Sequence, residues 1–125
     1  AGDAYTLALH WAVGGDPASA AAAWGIIDAW ASTLRTVDLK EDGILSIAYG
    51  WPALLWAAEV LRGTGAPAPA GAEERLARCV RAVVLPVVWR PVVLNNWNSW
   101  TICCAMSAAL WLKDEALFRE CVGMA

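Results

Sequence analysis

The sequence predicts an all-α fold, and three observations lead to that prediction. Apolar residues recur at helical spacing, as in the series Ala20, Trp24, Ile27 and Ala31, which falls on one helix face. Helix start and stop signals separate such series, and no window shows the alternation typical of a strand. Twice, an apolar helix that carries a Trp is followed, after a very short turn, by a second helix capped by Asp. Repeated helical hairpins of this kind build solenoids or closed α/α toroids.

The first hairpin joins a helix over residues 4–13 to a second helix that reaches residue 35. Gly14-Gly15 ends the first helix, because glycine favours the end of a helix and a turn. Asp16-Pro17 begins the second helix, with Asp as the N-cap and Pro at the first helical position. A short turn between two long helices predicts that they pack against each other.

The middle of the chain contains a helix predicted to begin at Trp51-Pro52 and to end at residue 62. Pro is tolerated in the first turn of a helix but not in its interior, because it lacks an N–H. The preceding residues 44–49 form either a helical turn or an extended entry. The polar residues 36–43 and the Gly- and Pro-rich residues 63–69 are predicted loops.

An amphipathic helix is predicted over residues 72–85, followed by an irregular segment 87–90 between two prolines. The inward side chains of this helix are Leu76, Val80 and Val83. Its charged side chains face water, and Glu74 and Arg78 stand at the i,i+4 spacing of a helical ion pair. The charged face comprises Glu74, Arg75, Arg78 and Arg81.

The second hairpin joins a helix over residues 98–112 to a final helix capped by Asp114. The first of these helices is apolar nearly all round, which predicts burial on both sides. The inward stripe of the final helix is predicted to be Leu117, Phe118, Cys121 and Val122.

The length of the chain predicts one domain over residues 1–125. Its composition predicts more apolar surface than a domain of this size can bury alone. The chain is 59% hydrophobic and only 17% charged, against about 25% charged in an average domain. We therefore expect either a piece of a larger fold, in which the rest of a parent chain covers exposed apolar surface, or a subunit whose self-association interface covers it.

Charge and cysteine spacing argue against several classes of partner. The net charge is −3 and no basic patch is evident, so nucleic acid is not an expected partner. Apolar runs are interrupted before the roughly 18 residues that a bilayer span requires. The four cysteines have no CxxC spacing and read as small buried hydrophobes, so no metal or other cofactor is expected.

Residues 95–100, Asn-Asn-Trp-Asn-Ser-Trp, are the segment with the clearest binding chemistry. Asn and Ser favour helix N-caps, so the segment stands at the mouth of the apolar helix that follows. Indoles can cover the C–H faces of a sugar while amides bond its hydroxyls or carboxylate. The alternative is a capped helix start with two core tryptophans. Nine tryptophans in the chain fit a carbohydrate cleft as well as a core.

This segment, followed by an apolar helix and the turn Trp-Leu-Lys-Asp-Glu-Ala-Leu-Phe at 111–118, resembles the alginate lyase superfamily of polysaccharide lyases. Members carry an Asn-x-Asn-Trp or Asn-Asn-His element at the start of an inner helix. Residues 15–17, 27–31 and 57–62 are also similar to earlier helices of that family. The resemblance implies an incomplete α/α toroid that cleaves uronic-acid polysaccharide, an alginate-like substrate, by β-elimination. It also implies a periplasmic or secreted protein.

By this resemblance Asn96 is the first candidate for the catalytic amide that holds the substrate carboxylate, with Asn95 and Asn98 as alternatives. Trp97 stands where some members have His, which removes one candidate base. The family's Tyr, Arg and further His lie C-terminal to this element, so this chain alone is expected to be catalytically incomplete.

Four further residues are candidates for the substrate-binding surface, each with a plainer alternative. Tyr49 and Trp51 stand near a predicted helix entry and line either a cleft or the core. Trp97 is expected to touch ligand, whereas Trp100 is expected in the core. Arg90 meets a carboxylate or lies in a solvated loop.

A different function class also fits the sequence. A non-catalytic α-helical repeat module would bind carbohydrate or protein through a Trp-lined face. A glycoside hydrolase would need two carboxylates across a cleft, and no convincing pair is present. His10, the only histidine, is expected to be packed or solvent-facing rather than a base.

Overall fold

The computed structural model describes residues 2–40, 42–89 and 96–124, and within these ranges it contains six helices and no strand. The all-α prediction is confirmed, whereas the toroid arrangement stays a prediction. The fourth helix is a continuous run whose three segments are Ala72–Cys79, Val80–Val84 and Leu85–Val88. The helices are α1 (Gly2–Gly14), α2 (Pro17–Thr33), α3 (Gly43–Gly63), α4 (72–88), α5 (Asn96–Leu112) and α6 (Glu115–Met124).

Helix α3 is the centre of the packing. It contacts α1 on one side and α5 on another, while the pairs α1–α2 and α5–α6 form the two predicted hairpins. The first half of α4 packs on α2, and its last turn contacts α3 and α5. The core between these helices is apolar, and its largest fully buried side chains include Trp24, Ile27, Leu54, Leu55, Leu61, Leu76, Val80 and Val84.

The turn between α1 and α2 has the predicted caps. Gly15 adopts a positive φ of 71°, which glycine tolerates without a Cβ penalty. The Asp16 carboxylate accepts hydrogen bonds from the backbone N–H of Ala18 at 3.2 Å and from the Ser19 hydroxyl at 2.7 Å. His10 Nδ1 lies 2.7 Å from the Ser19 Oγ, so the histidine belongs to this capping network.

Helix α3 corrects the prediction that a helix begins at Trp51-Pro52. The helix starts at Gly43 and passes through Pro52 without a break. An interior proline costs about 3 kcal/mol because one hydrogen bond is lost. Burial offsets that cost, since Pro52 itself and residues one turn before and after it, Ala48 and Leu55, are fully buried.

Length and composition alone would allow α3 to cross a membrane. The helix has 21 residues, and half of its most apolar 18-residue stretch is buried inside the protein. The buried core helix of a globular protein can be as long and as apolar as a membrane-spanning helix, so α3 is only weak evidence for a membrane span.

Helix α4 corrects two further predictions. It continues through Pro86 to Val88, because a π-helical stretch, Val80–Val84, precedes the proline and both Val87 and Val88 are buried. Residues 87 and 88 are therefore helical rather than irregular, and Arg90 lies outside the described residues. The charged face is not uniformly solvated either, because Arg75 pairs with Asp28 of α2.

The second hairpin confirms one cap and corrects one predicted contact. The Asp114 carboxylate accepts a hydrogen bond from the backbone N–H of Leu117 at 3.0 Å, as expected of an N-cap. Cys121 is fully buried, but Val122 is 52% exposed and does not join the inward stripe of α6.

Candidate functional site

The predicted binding segment begins the inner helix α5. Asn96 is the first residue of α5 and is exposed, as is Ser99, whereas Asn98 is half-buried. The Asn98 carbonyl accepts a hydrogen bond from the Thr101 hydroxyl at 2.9 Å, which fixes the backbone of the first turn. Asn95 and Arg90 lie outside the described residues, so their predicted roles stay predictions.

Tyr49 of α3 meets Trp100 of α5 beside this helix start. The two ring centroids are 4.9 Å apart, with the ring planes at 69°. Tyr49 is 65% exposed, and Trp100 is half-buried rather than enclosed in the core. Asn96 precedes Trp100 by four residues and so lies on the same face of α5. Tyr49, Trp100 and Asn96 therefore share one side of the helix start, which we name the aromatic–amide surface.

A groove of about 520 Å³ adjoins the start of α5. Its polar end carries Asn98 and Ser99, and its apolar part is lined by side chains of α3, α5 and α6. The apolar lining comprises Trp56, Ile102, Cys103, Met106, Leu110 and Met124.

Trp56 is the functional candidate that sequence reasoning missed. It is 39% exposed, its indole N–H donates to the Ser107 Oγ at 3.0 Å, and its ring contacts Tyr5 edge to face at 6.0 Å. Trp56 follows Tyr49 by seven residues, which is two turns on one face of a continuous helix. The predicted break at Trp51-Pro52 hid that relationship.

Trp51 does not join this surface. It is 3% exposed and packs in the core, where it lines a small cavity of about 160 Å³ with Trp30 and Leu54. Two residues correspond to about 200° around a helix, so Trp51 and Tyr49 point to opposite sides of α3. Trp97 is half-buried in the first turn of α5.

The groups that the described part of this site offers are suited to binding. Amides and hydroxyls donate and accept hydrogen bonds, and exposed rings cover apolar faces of a ligand. No group of three or more His, Cys, Asp or Glu that could hold a metal occurs among residues 2–40, 42–89 and 96–124.

Comparison with models of protein families, with curated proteins and with solved structures finds no match. The family relationship stays a prediction from the residues at the start of α5. The aromatic–amide surface and the adjoining groove are the structural features on which a function can be proposed.

Proposed function

We propose that this chain binds uronic-acid-containing polysaccharide at the start of α5 and belongs to a polysaccharide lyase that cleaves its substrate by β-elimination. The observation that carries the proposal is the contact of the exposed Tyr49 ring with Trp100, on the side of α5 that also presents the Asn96 amide. Rings beside an exposed amide match a substrate that combines a sugar face with a carboxylate.

In this proposal Asn96 holds the substrate carboxylate. β-Elimination removes the proton on C5, its electron pair forms the C4–C5 double bond, and the C4–O4 bond breaks with protonation of the leaving oxygen. Negative charge develops on the carboxylate as the C5 proton leaves. An amide N–H directed at that carboxylate stabilises the charge, as donors of an oxyanion hole do.

Tyr49 and Trp56 extend the surface along α3. Two helical turns separate them, which corresponds to about 10 Å along the helix axis. Both rings are exposed enough to touch a ligand, at 65% and 39%. A polymer that lies along α3 would therefore meet two rings, with the Asn96 amide on the side of Tyr49 and Asn98 in the groove that Trp56 lines.

A non-catalytic carbohydrate-binding module is the second candidate function. The observation in its favour is the composition of the groove, since no His and no carboxylate is among its described lining residues. Such a groove binds ligand without supplying a strong acid or base.

One experiment separates these candidates. Saturated oligomers of mannuronate, guluronate and glucuronate would be mixed with this chain and with the longest natural protein that contains it. Ultraviolet absorbance reports the unsaturated product, and tryptophan fluorescence reports binding. We expect binding to both proteins and product formation with the longer one, and Asn96→Ala should abolish product formation.

The matched control is Arg119→Gln, a change on the exposed face of α6. Binding without product in either protein would favour the module. Absence of binding to every oligomer, by a chain with native helical circular dichroism, would contradict both candidates.

A further inference from the structure

We propose that a second cleft, between the end of α2 and the first half of α4, binds a small organic carboxylate that carries an apolar body. The cleft has a volume of about 360 Å³ and is separate from the groove at α5. Three arginines line it, Arg35, Arg75 and Arg78, and we name it the arginine cleft.

The positive charge of the arginine cleft is concentrated, and only one of its three arginines, Arg75, is paired with a carboxylate in the described residues. The chain has nine basic side chains and a net charge of −3, yet three of the nine line this cavity, and no carboxylate is among its lining residues in the part of the chain that the structure describes. Arg75 is held by Asp28 through two hydrogen bonds, at 2.7 and 3.0 Å. It therefore forms a fixed wall of the cleft rather than a free cation.

Arg35 and Arg78 supply the free charge. Arg35 donates one hydrogen bond to the Leu34 carbonyl at 3.2 Å, which leaves most of its five N–H donors available. Arg78 forms no ion pair with a side chain in the described parts of the chain. Glu74 lies one turn before Arg78 and is exposed, outside the cleft lining. Guanidinium groups bind carboxylates in a bidentate geometry, which selects that headgroup.

The floor of the cleft is apolar and selects the rest of the ligand. Ala31 and Cys79 are each 5% exposed, and Leu34 and Val83 are half-buried. Burial raises the pKa of the Cys79 thiol, with the charge of Arg35 acting in the opposite direction. Cys79 is therefore a neutral thiol near pH 7 and does not compete as an anion. A hydrocarbon body can cover this floor while its carboxylate meets Arg35 and Arg78.

Isothermal titration calorimetry with octanoate, below its micelle concentration, tests the proposal. We expect one saturable site and at least a tenfold weaker affinity in both Arg35→Gln and Arg78→Gln. Both side chains are exposed, so these variants should keep the wild-type melting temperature. Arg119→Gln, which changes an exposed arginine on α6, should bind octanoate as the wild type does.

Octanol and inorganic phosphate complete the test. Octanol lacks the charge and phosphate lacks the apolar body, so each should bind at least tenfold more weakly than octanoate. Equal affinity for octanol, equal affinity for phosphate, or octanoate binding that both arginine variants retain would each overturn the proposal. Absence of octanoate binding to the folded wild-type chain would also overturn it.

Discussion

Asp28 of α2 and Arg75 of α4 form a two-point ion pair, with Nε 2.7 Å from Oδ1 and Nη2 3.0 Å from Oδ2. The carboxylate and the guanidinium are 24% and 32% exposed, so the pair is partly shielded from water. Planar bidentate geometry makes such pairs stronger than a single surface contact. The pair connects the first hairpin to α4 and fixes one wall of the arginine cleft.

Replacing Asp28 by Asn should lower the melting temperature at pH 7 by about 2–5 °C, because Arg75 would lose its charged partner. The hydrogen bonds from Arg75 lower the pKa of Asp28. Stability from a lowered carboxylate pKa is present above the unfolded pKa of about 3.9 and is lost as pH falls through the folded pKa. The difference between wild type and Asp28→Asn should therefore shrink below pH 4, as measured by thermal unfolding across pH.

Glu115→Gln is the matched control for this ion pair. Glu115 pairs with Arg119 within α6, but both side chains are more than 70% exposed. Exposed pairs contribute little to stability, so the melting temperature should stay unchanged. A loss as large as that of Asp28→Asn would show that partial shielding does not distinguish the two pairs.

The two rings of α3 should contribute to oligouronate binding. Tyr49→Ala and Trp56→Ala should each weaken binding by about threefold to tenfold, the range expected from the loss of one ring contact. Tyr49→Phe should bind nearly as well as wild type if stacking rather than the hydroxyl matters. Fluorescence titration measures the affinities.

Trp30→Ala is a control for the loss of an exposed ring. Trp30 is 47% exposed but lines the small cavity with Trp51, and the described lining of that cavity comes from α2 and α3 and includes no residue of α5. Its replacement should leave oligouronate affinity unchanged. Equal weakening by Trp30→Ala would contradict the placement of the binding surface.

Two glycines of α3 should respond oppositely to replacement by Ala. A Cβ at Gly43 would stand 1.6 Å from the Asp38 carbonyl oxygen, so the backbone must move. Gly43→Ala should cost about 1–3 kcal/mol, as other overpacking changes do. A Cβ at Gly50 meets nothing within 4 Å, and Gly50→Ala should stabilise the chain by about 0.5–1 kcal/mol. Chemical denaturation measures both, and stabilisation by Gly43→Ala would contradict the close contact.

Thiol labelling should distinguish Cys103 from the other three cysteines. Cys103 is half-buried and lines the groove, whereas Cys79, Cys104 and Cys121 are buried and burial raises the pKa of each thiol. The thiolate is the reactive form, so a maleimide should modify Cys103 at least about tenfold faster than the others in the native chain.

The matched variant for labelling is Cys103→Ser. In its folded state, the three remaining thiols should all react slowly with the maleimide. Rapid modification of that variant would show that another cysteine is accessible. An oligouronate that occupies the groove should slow labelling of Cys103 in the wild type.

Local signals in the sequence determined what could be predicted. Asp16 and Asp114 cap their helices through side-chain bonds to backbone groups two or three residues away, so short patterns reveal them. The ion pair between Asp28 and Arg75 joins residues 47 apart, and nothing near either residue indicates its partner.

The interior prolines explain why the candidate site was only partly predicted. Pro52 is a helix breaker by local rules, but burial on both sides of it keeps α3 continuous. Because α3 is continuous, Trp56 lies on the same face as Tyr49 and next to α5. Two separate helices broken at Pro52 would have no fixed relationship between these two rings. Asn96 was identifiable because amides and indoles cluster within a few residues.

The π-helical stretch Val80–Val84 changes the rotational phase of α4. Its hydrogen bond from the Leu85 N–H to the Val80 carbonyl spans one residue more than an α-helical bond. One residue corresponds to about 100° of rotation, so the two halves of α4 turn their apolar residues toward different neighbours. The first half is in phase with α2, and the last turn, with Val87 and Val88, is in phase with α3 and α5. Deleting one residue here would restore a regular α-helix. The apolar residues of that helix could pack against α2, or against α3 and α5, but not against both sets of neighbours.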